Sequence, residues 1–581
     1  MSAFLGVENS LTGRRWTGPN PDVFRRAEAL AQHTQLAPPL CQTLARLNVA
    51  PEDVAEYLDP KLRDLLPDPR QIKDMERAAT RLLDAVTRRE RIAIFADYDV
   101  DGGASAALLL HWLKRHNQSA TLYVPDRIDE GYGPNVPSMR ALAQDHDLIL
   151  CVDCGTLSHD ALAAAEGADV LVLDHHLGGE TLPPALAVVN PNRQDEDGSL
   201  SHLCAAAVVF LLLVEAGRHL RAQGAPSPDL LGLTDLVALA TVADVAPLIG
   251  VNRAFVRTGL KVMAQRQRPG LVALSDMARL DTAPTSYHLG YVLGPRINAG
   301  GRVGCADLGA RLLATGDANE AAALAQTLDE LNAERREIEA RVREEALAQA
   351  EARGLDAPVV WASREGWHPG VVGIVASRLK ERANRPAIVI GFDQNTGKGS
   401  GRSVPGIDLG AAIQRLASEG LLVKGGGHKM AAGLTVTQDK LDAAMARLSD
   451  LLSHQSDGLG QAADLRCDGL ISPAAMTPEL LTQLEKAGPF GAAASAPRFA
   501  LPDQAILHTR RVGSAHLKLR VGEPGGPAVE TIAFGAYEGP LGTALEGHDG
   551  HRFHLAGRLS LNLWGGRQSV QLTLEDAART T

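Results

Sequence analysis

From residue 92 to about 250 the chain alternates between short apolar runs and longer amphipathic ones. Runs rich in β-branched residues at Arg91–Phe95, Thr121–Val124, Leu148–Val152, Val170–Leu173 and Ala187–Val189 predict strands. The segments between them, Ala104–His116, Val136–Gln144 and Ser158–Glu166, predict helices. Strand–helix–strand alternation with wholly apolar strands is the pattern of a parallel sheet covered on both faces. Upstream, residues 1–70 carry short helical patterns (Phe24–Leu36, Leu40–Leu47) broken by prolines, which predicts a small N-terminal helical extension. Met75–Arg88 predicts a better helix leading into the first strand.

Residues 317–354 read as one long helix laced with charge, with Gly354 as its stop, and predict a connector. A second α/β unit is expected over 355–455, with strands at Val359–Trp361 and Ala387–Ile390 around a helix at Val371–Glu381. Over 460–581 short, even strands (Ala500–His508, His516–Val521, Glu530–Phe534, Arg552–Leu563, Arg567–Glu575) predict an all-β barrel. The expected fold is therefore α/β: a parallel-sheet domain over 71–316, a long helix, a second α/β domain, and a C-terminal β-barrel.

Chemistry collects where the first strands end. Asp97, Asp99 and Asp101 follow the first strand at alternate positions, Asp153 follows the third, and Asp174-His175-His176 follows the fourth. The apolar helical run Leu233–Thr241 leads to Asp244. An acidic turn capping a helix would account for the first cluster alone. Several segments placing acids and imidazoles on one sheet edge point instead to a cation site, since ligands of open α/β sheets bind at that edge. Oxygen ligands with one or two imidazoles suit Mn²⁺ or Mg²⁺. The number of ligands suggests two ions sharing a carboxylate, an arrangement that serves phosphoester hydrolysis.

Composition narrows the partners. The net charge of −11 gives no global attraction to nucleic acid. Residues 357–440, however, hold 11 Lys and Arg against 6 Asp and Glu, and include the glycine-rich stretches Gly397–Ser403 and Gly425–Lys429. These read as phosphate-binding loops, with plain flexible turns as the alternative. The six cysteines are scattered, which suits a reducing compartment; Cys151 and Cys154 lack the second pair a zinc site would use. No apolar run reaches membrane-spanning length and no signal peptide is evident, so a cytoplasmic protein is expected. In the tail, Phe534 and Trp564 are candidate base-stacking aromatics or core residues.

Asp97-Tyr98-Asp99-Val100-Asp101-Gly102, Val152-Asp153-Cys154-Gly155 and Asp174-His175-His176 resemble the DHH phosphoesterase superfamily. With Ala240–Val245 and Gly294–Arg302, they resemble within it the RecJ family of single-strand-specific 5′→3′ exonucleases. The resemblance runs over roughly residues 70–575 and makes the second domain a DHHA1 substrate-binding domain and the barrel an OB-fold. It implies metal ligation by Asp97, Asp99, Asp101, Asp153, His175 and Asp244, with Asp153 as bridge, His176 facing substrate and Asp174 orienting an imidazole.

It further implies that Arg127 contacts a terminal phosphate and that Ser400, Arg402, Ser403 and His428 contact substrate. Arg296, Asn298 and Arg302, after a Gly-Pro turn, serve either phosphate or a network bracing the metal loop. The expected activity is two-metal hydrolysis of single-stranded DNA from the 5′ end to mononucleotides, in repair and recombination, by a monomer. A single-strand-binding protein or a helicase is the implied protein partner. The alternatives are a DHH phosphoesterase for short oligonucleotides or cyclic dinucleotides, and a non-catalytic replication scaffold.

Overall fold

The computed structural model describes residues 3–127, 129–456, 464–564 and 567–580. The chain divides into two compact units: residues 61–457 with 491–493, and residues 1–60 with 458–490 and 494–581.

The first unit opens on β1 (Ile92–Ala96), which runs straight into α1 (Val100–Arg115). Next come β2 (Ala120–Tyr123), β3 (Leu148–Val152), β4 (Asp169–Leu173) and β5 (Ala187–Val189). They form one parallel sheet in the order β2-β1-β3-β4-β5, with the fully buried β1 and β3 side by side. The chain leaves β1 to one side for β2 and returns on the other for β3, so the strand order reverses at the C-terminal ends of β1 and β3. Helices α2 (Ala205–Ala222) and α3 (Thr234–Ala243) are apolar almost all round and pack with α1.

Helix α1 begins four residues earlier than its pattern suggests and takes in Gly102 and Gly103. The Asp99 carboxylate caps it, accepting the Asp101 N–H at 2.8 Å and the Gly102 N–H at 3.2 Å. A Cβ at Gly102 would strike the Asp97 carbonyl, so glycine here allows close approach rather than marking a turn. Likewise the segment read as a Gly-Pro turn is helical: a π-helix over His288–Leu293 runs into α4 (Gly294–Val303). Helix α5 (Ala318–Arg353) spans 36 residues between its Asp317 cap and Gly354, as expected.

A second sheet follows, built from β6 (Val360–Glu365), β7 (Ala387–Asp393), β8 (Thr396–Arg402), β9 (Lys424–His428) and β10 (Ala431–Thr437), with α6 (Pro369–Ala383) packed on β7 and β8. Its order is β9-β10-β8-β7-β6. The two glycine-rich stretches expected to be loops are therefore strands. Gly397, Gly399 and Gly401 alternate along β8 because the inner face leaves no room: a Cβ at each would sit 2.7–2.9 Å from Ile388, Ile390, Leu409 or Leu434. Lys398, Ser400 and Arg402 take the opposite face.

In the second unit, β11 (Gly469–Leu470) lies beside β12 (Phe499–Val512), followed by β13 (His516–Gly522), β14 (Ala528–Ala533), β15 (Arg552–Trp564) and β16 (Arg567–Arg579). The ladder β12-β13-β14-β16-β15 closes through β12–β15 into a five-stranded barrel. The N-terminal helices Pro21–His33 and Pro38–Arg46 share its core: Leu30, Leu40 and Leu44 cluster with Phe499, Leu517 and Phe553. Phe534 is exposed, edge-on to His516 at 5.4 Å, while the side chain of Trp564 lies outside the described residues. No helix among the described residues is long and apolar enough to cross a membrane.

Candidate metal centre

Each strand delivers one acid by continuing the sheet ladder one residue past its end. The Asp97 N–H donates to the Val152 carbonyl at 3.3 Å, Asp153 to Leu173 at 2.9 Å, and Asp174 to Val189 at 3.1 Å. Asp153 does so with φ +60°, a left-handed conformation that swings its carboxylate across the sheet edge. Three ligand groups form, each with donor atoms within 4.8 Å of one another: Asp97, Asp99 and Asp153; Asp101, His175 and Asp244; Asp153, His175 and His176. All six expected ligands thus converge, and Asp153 and His175 each belong to two of the groups; of the two, the carboxylate has the two oxygens that sharing between ions needs. The Nε2 atom of His175 lies 3.3 Å from Asp153 and 3.7 Å from both Asp101 and Asp244.

The electrostatics are those of a centre that needs positive charge. Burial, then the neighbouring Asp99, drives Asp97 well above the usual carboxylate range. Burial, with Asp101, Asp99, Asp97 and Asp244 around it, does the same to Asp153. Asp244 is pushed up to about 8 by burial and by Asp101 and Asp99. So many carboxylates cannot all ionise in one pocket unless cations are present. The buried Oδ1 atoms of Asp97 and Asp153 have no hydrogen-bond partner among the described residues, which leaves them free as ligands. Asp101 is oriented by the start of α2, its two oxygens accepting the Ala205 and Ala206 N–H groups at 2.7 and 2.8 Å. The donor set fits a pair of hard divalent cations.

Asp174 is different in kind. Its Oδ1 accepts from the His175 N–H, the His176 N–H and His176 Nδ1, while Oδ2 accepts from the Thr156 N–H and hydroxyl. Burial would raise its pKa, but these donors and the His176 charge hold it well below the usual range. It orients His176 and holds no place in the ligand groups. Burial works against an imidazolium at His176, yet Asp174 outweighs it and moves His176 up to about 9.

Sequence reasoning missed the groups that hold this edge still. Asn190 donates to the His176 carbonyl at 2.8 Å and to the Thr156 hydroxyl at 2.9 Å. Asn192 donates to the His175 carbonyl at 2.6 Å. Both follow β5, where Asn190-Pro191-Asn192 reads as an ordinary turn and the position at a strand end is the one signal they carry. Tyr132 was also missed; its hydroxyl donates to the Asp153 carbonyl at 3.0 Å and lies 3.2 Å from His176 Nδ1. Cys151 and Cys154 are buried without charge partners that would favour a thiolate, and burial pushes both thiols up, so the CxxC is packing.

The expected substrate residues separate. Arg127 lies over the Tyr98 ring at 5.1 Å, and its charge is felt by Arg302, Arg402 and His368. Arg302 is lowered to about 10, by burial first and then by Arg127 and Arg335. Arg402 donates to the Ser400 hydroxyl at 2.9 Å, and Ser400 lies beside Gly373 on α6. His428 is exposed on β9, in register with Ala431, which in turn pairs with Arg402. One assignment changes, and one open reading narrows. Ser403 is buried, its hydroxyl donating to the Ile407 carbonyl at 3.1 Å, so it faces the fold rather than a substrate. Arg296 is tied to Asp329 at 2.7 Å and to the Val292 carbonyl, which is the bracing role. The Asn298 Oδ1 is buried, without a partner among the described residues.

Comparison with known proteins is consistent with this geometry. Family models match in order: the DHH family N-terminal domain over 91–241, the DHHA1 domain over 356–454 and the RecJ OB domain over 467–576. The single-stranded-DNA-specific exonuclease RecJ of Dickeya dadantii is 39% identical over 543 residues, covering 90% of this chain and 93% of that protein. The chain belongs to the RecJ family. The RecJ of Escherichia coli is 37% identical at the same coverage. The crystal structure of RecJ from Thermus thermophilus in complex with Mn²⁺ matches 97% of this chain and 80% of that one, with a TM-score of 0.80 at 30% identity.

Proposed function

We infer that this chain is a divalent-cation-dependent exonuclease that degrades single-stranded DNA from its 5′ end to mononucleotides. The observation that carries the reading is the convergence of Asp97, Asp99, Asp101, Asp153, His175 and Asp244, with buried carboxylate oxygens left without partners. Asp97, Asp99 and Asp153 would hold one cation and Asp101, His175 and Asp244 the other, with Asp153 between them. When bound, such a pair supplies Lewis-acid activation of water and charge neutralisation on the scissile phosphate. His176, held by Asp174 and beside Tyr132, presents an N–H to a phosphate oxygen. Arg127, Arg302, Arg402 and Ser400 form a cationic pocket within the same compact unit, suited to a terminal phosphate. Holding the terminus beside the centre makes cleavage exonucleolytic and sets its polarity.

The strand has further tracks to follow. On the face of the second sheet that carries α6, beyond the helix, Ser400 pairs with Gly433 and Gly433 with Gly426, and a Cβ added at either glycine would meet nothing within 4 Å. Lys398, Thr435 and Lys424 flank that bare floor on one side, Arg402, Ala431 and His428 on the other. The barrel's charges nearly cancel overall but are segregated. Arg510 stands opposite Lys518 and His508 opposite Arg520, lining a groove of about 710 Å³. Glu530 stands opposite Arg520 and pairs with Lys518 at 3.1 Å, so the groove carries three cations and a histidine against one carboxylate, a net positive lining that a polyanion complements. These surfaces favour a long strand over a dinucleotide substrate. We infer also a cytoplasmic monomer working beside a single-strand-binding protein or a helicase, which would supply the strand; the six free cysteines suit that compartment.

Digestion of 5′- and 3′-end-labelled single strands and of duplex, with Mn²⁺, tests the reading. Release of 5′-labelled mononucleotides first, with duplex spared, is the expected result. Trimming from the 3′ end, or cleavage restricted to dinucleotides, would contradict it.

A further inference from the structure

Beside Asp244 the chain carries several unusual local features. Val245, the next residue, has φ +59° and is 70% exposed, a strained β-branched residue on the surface. The π-helix over His288–Leu293 and the start of α4 pack against the end of α3: a Cβ added at Gly290 would lie 3.3 Å from the Val242 side chain, and one at Gly294 3.4 Å from the Ala243 Cβ. π-turns are rare and gather at functional sites. Tyr287, just before the π-helix, and Tyr291, within it, stack with ring centroids 5.3 Å apart and 26° from parallel. The two rings are 64% and 75% exposed, and His288 stands edge-on to Tyr287 at 5.9 Å.

A stacked aromatic pair left in water exposes apolar area that folding does not use. Both rings stay mostly exposed, Tyr291 the more so, with Tyr287 stacked against it. The helical segment that carries the pair packs, at Gly290 and Gly294, on Val242 and Ala243, the helix end that leads to Asp244. The chemistry that completes a rigid, pre-stacked phenol face beside a phosphodiester-cleaving centre is a flat, unpaired nucleobase.

We propose that Tyr291, backed by Tyr287, is a stacking platform for one base of the bound strand, near the scissile phosphate. It fixes how far the strand advances before each cut, and it adds a requirement for an unpaired base. The proposal rests on the nuclease reading above.

The test uses single strands carrying 2-aminopurine at successive positions from the 5′ end, bound by the full chain in EDTA so that no cleavage intervenes. Anisotropy reports binding and 2-aminopurine quenching reports stacking. One position is expected to be quenched; Tyr291→Ala removes that quench and weakens binding roughly tenfold. Tyr291→Phe keeps both, whereas Tyr291→Leu loses the quench. An abasic residue at that position weakens binding by the unaltered chain by the same factor and binding by Tyr291→Ala no further. The proposal is overturned if no quenched position depends on residue 291, or if the abasic penalty is equal in both proteins. A chain that binds no single strand at all overturns the nuclease reading along with it, so the two failures are told apart.

Discussion

Asp153 occupies a left-handed backbone position, its Oδ1 has no hydrogen-bond partner among the described residues and lies 3.3 Å from His175 Nε2, and it belongs, as His175 does, to two of the three ligand groups. Replacing it by alanine should abolish cleavage while strand binding, measured by anisotropy in EDTA, remains within about threefold, because the cationic pocket is untouched. The asparagines act through the histidines. Asn192→Ala, which frees the His175 carbonyl, should lower Mn²⁺ affinity about 10–100-fold by calorimetry while thermal unfolding of the metal-free chain shifts little. Asp244 gives a pH signature. Its ordinary value is 3.8, and burial beside Asp101 and Asp99 moves it up to about 8. Between those values the folded metal-free chain holds a proton that the unfolded chain has shed, so Tm should fall as pH rises through that window. Asp244→Asn should flatten the slope. The acids and histidines were legible in the sequence because carboxylates rarely crowd at one edge without a cation. The asparagines were not, because an amide after a strand looks like any turn former until its hydrogen bonds are seen.

Glycine is where elements were misread. A run such as Gly397-Lys398-Gly399-Ser400-Gly401 carries every mark of a loop, yet it is the strand β8. What the pattern could not show is that Ile388, Ile390 and Leu434 press against the inner face and leave only hydrogen atoms room. Gly399→Ala, whose Cβ would sit 2.9 Å from Ile390 and Leu434, should destabilise the chain by roughly 1–3 kcal/mol in urea titration. The helix at 294–303 hid behind Pro295 for a related reason: proline is tolerated in the first turn, so a Gly-Pro pair marks a helix start as readily as a turn. Strand positions on the parallel sheet were read almost to the residue, since their apolar runs end at charged groups the core cannot accept.

At the scale of the whole molecule, net charge misleads because it averages over separated surfaces. The barrel sums to about zero yet sets His508, Arg510, Lys518 and Arg520 together, with Glu530 as the one acid among them. Arg510→Glu with Arg520→Glu should weaken single-strand binding and reduce the slope of log affinity against log salt by about 0.7 for each phosphate no longer neutralised. The cleavage centre should stay intact on short substrates. The account depends on one arrangement, in which groups far apart in the chain meet to hold two cations. Counting Mn²⁺ bound per chain, by calorimetry and electron paramagnetic resonance, measures it directly. Two ions in the unaltered chain, falling to one or none in Asp153→Asn, is the predicted result. A single ion in the unaltered chain, or two bound with unchanged affinity in Asp153→Asn, would contradict it.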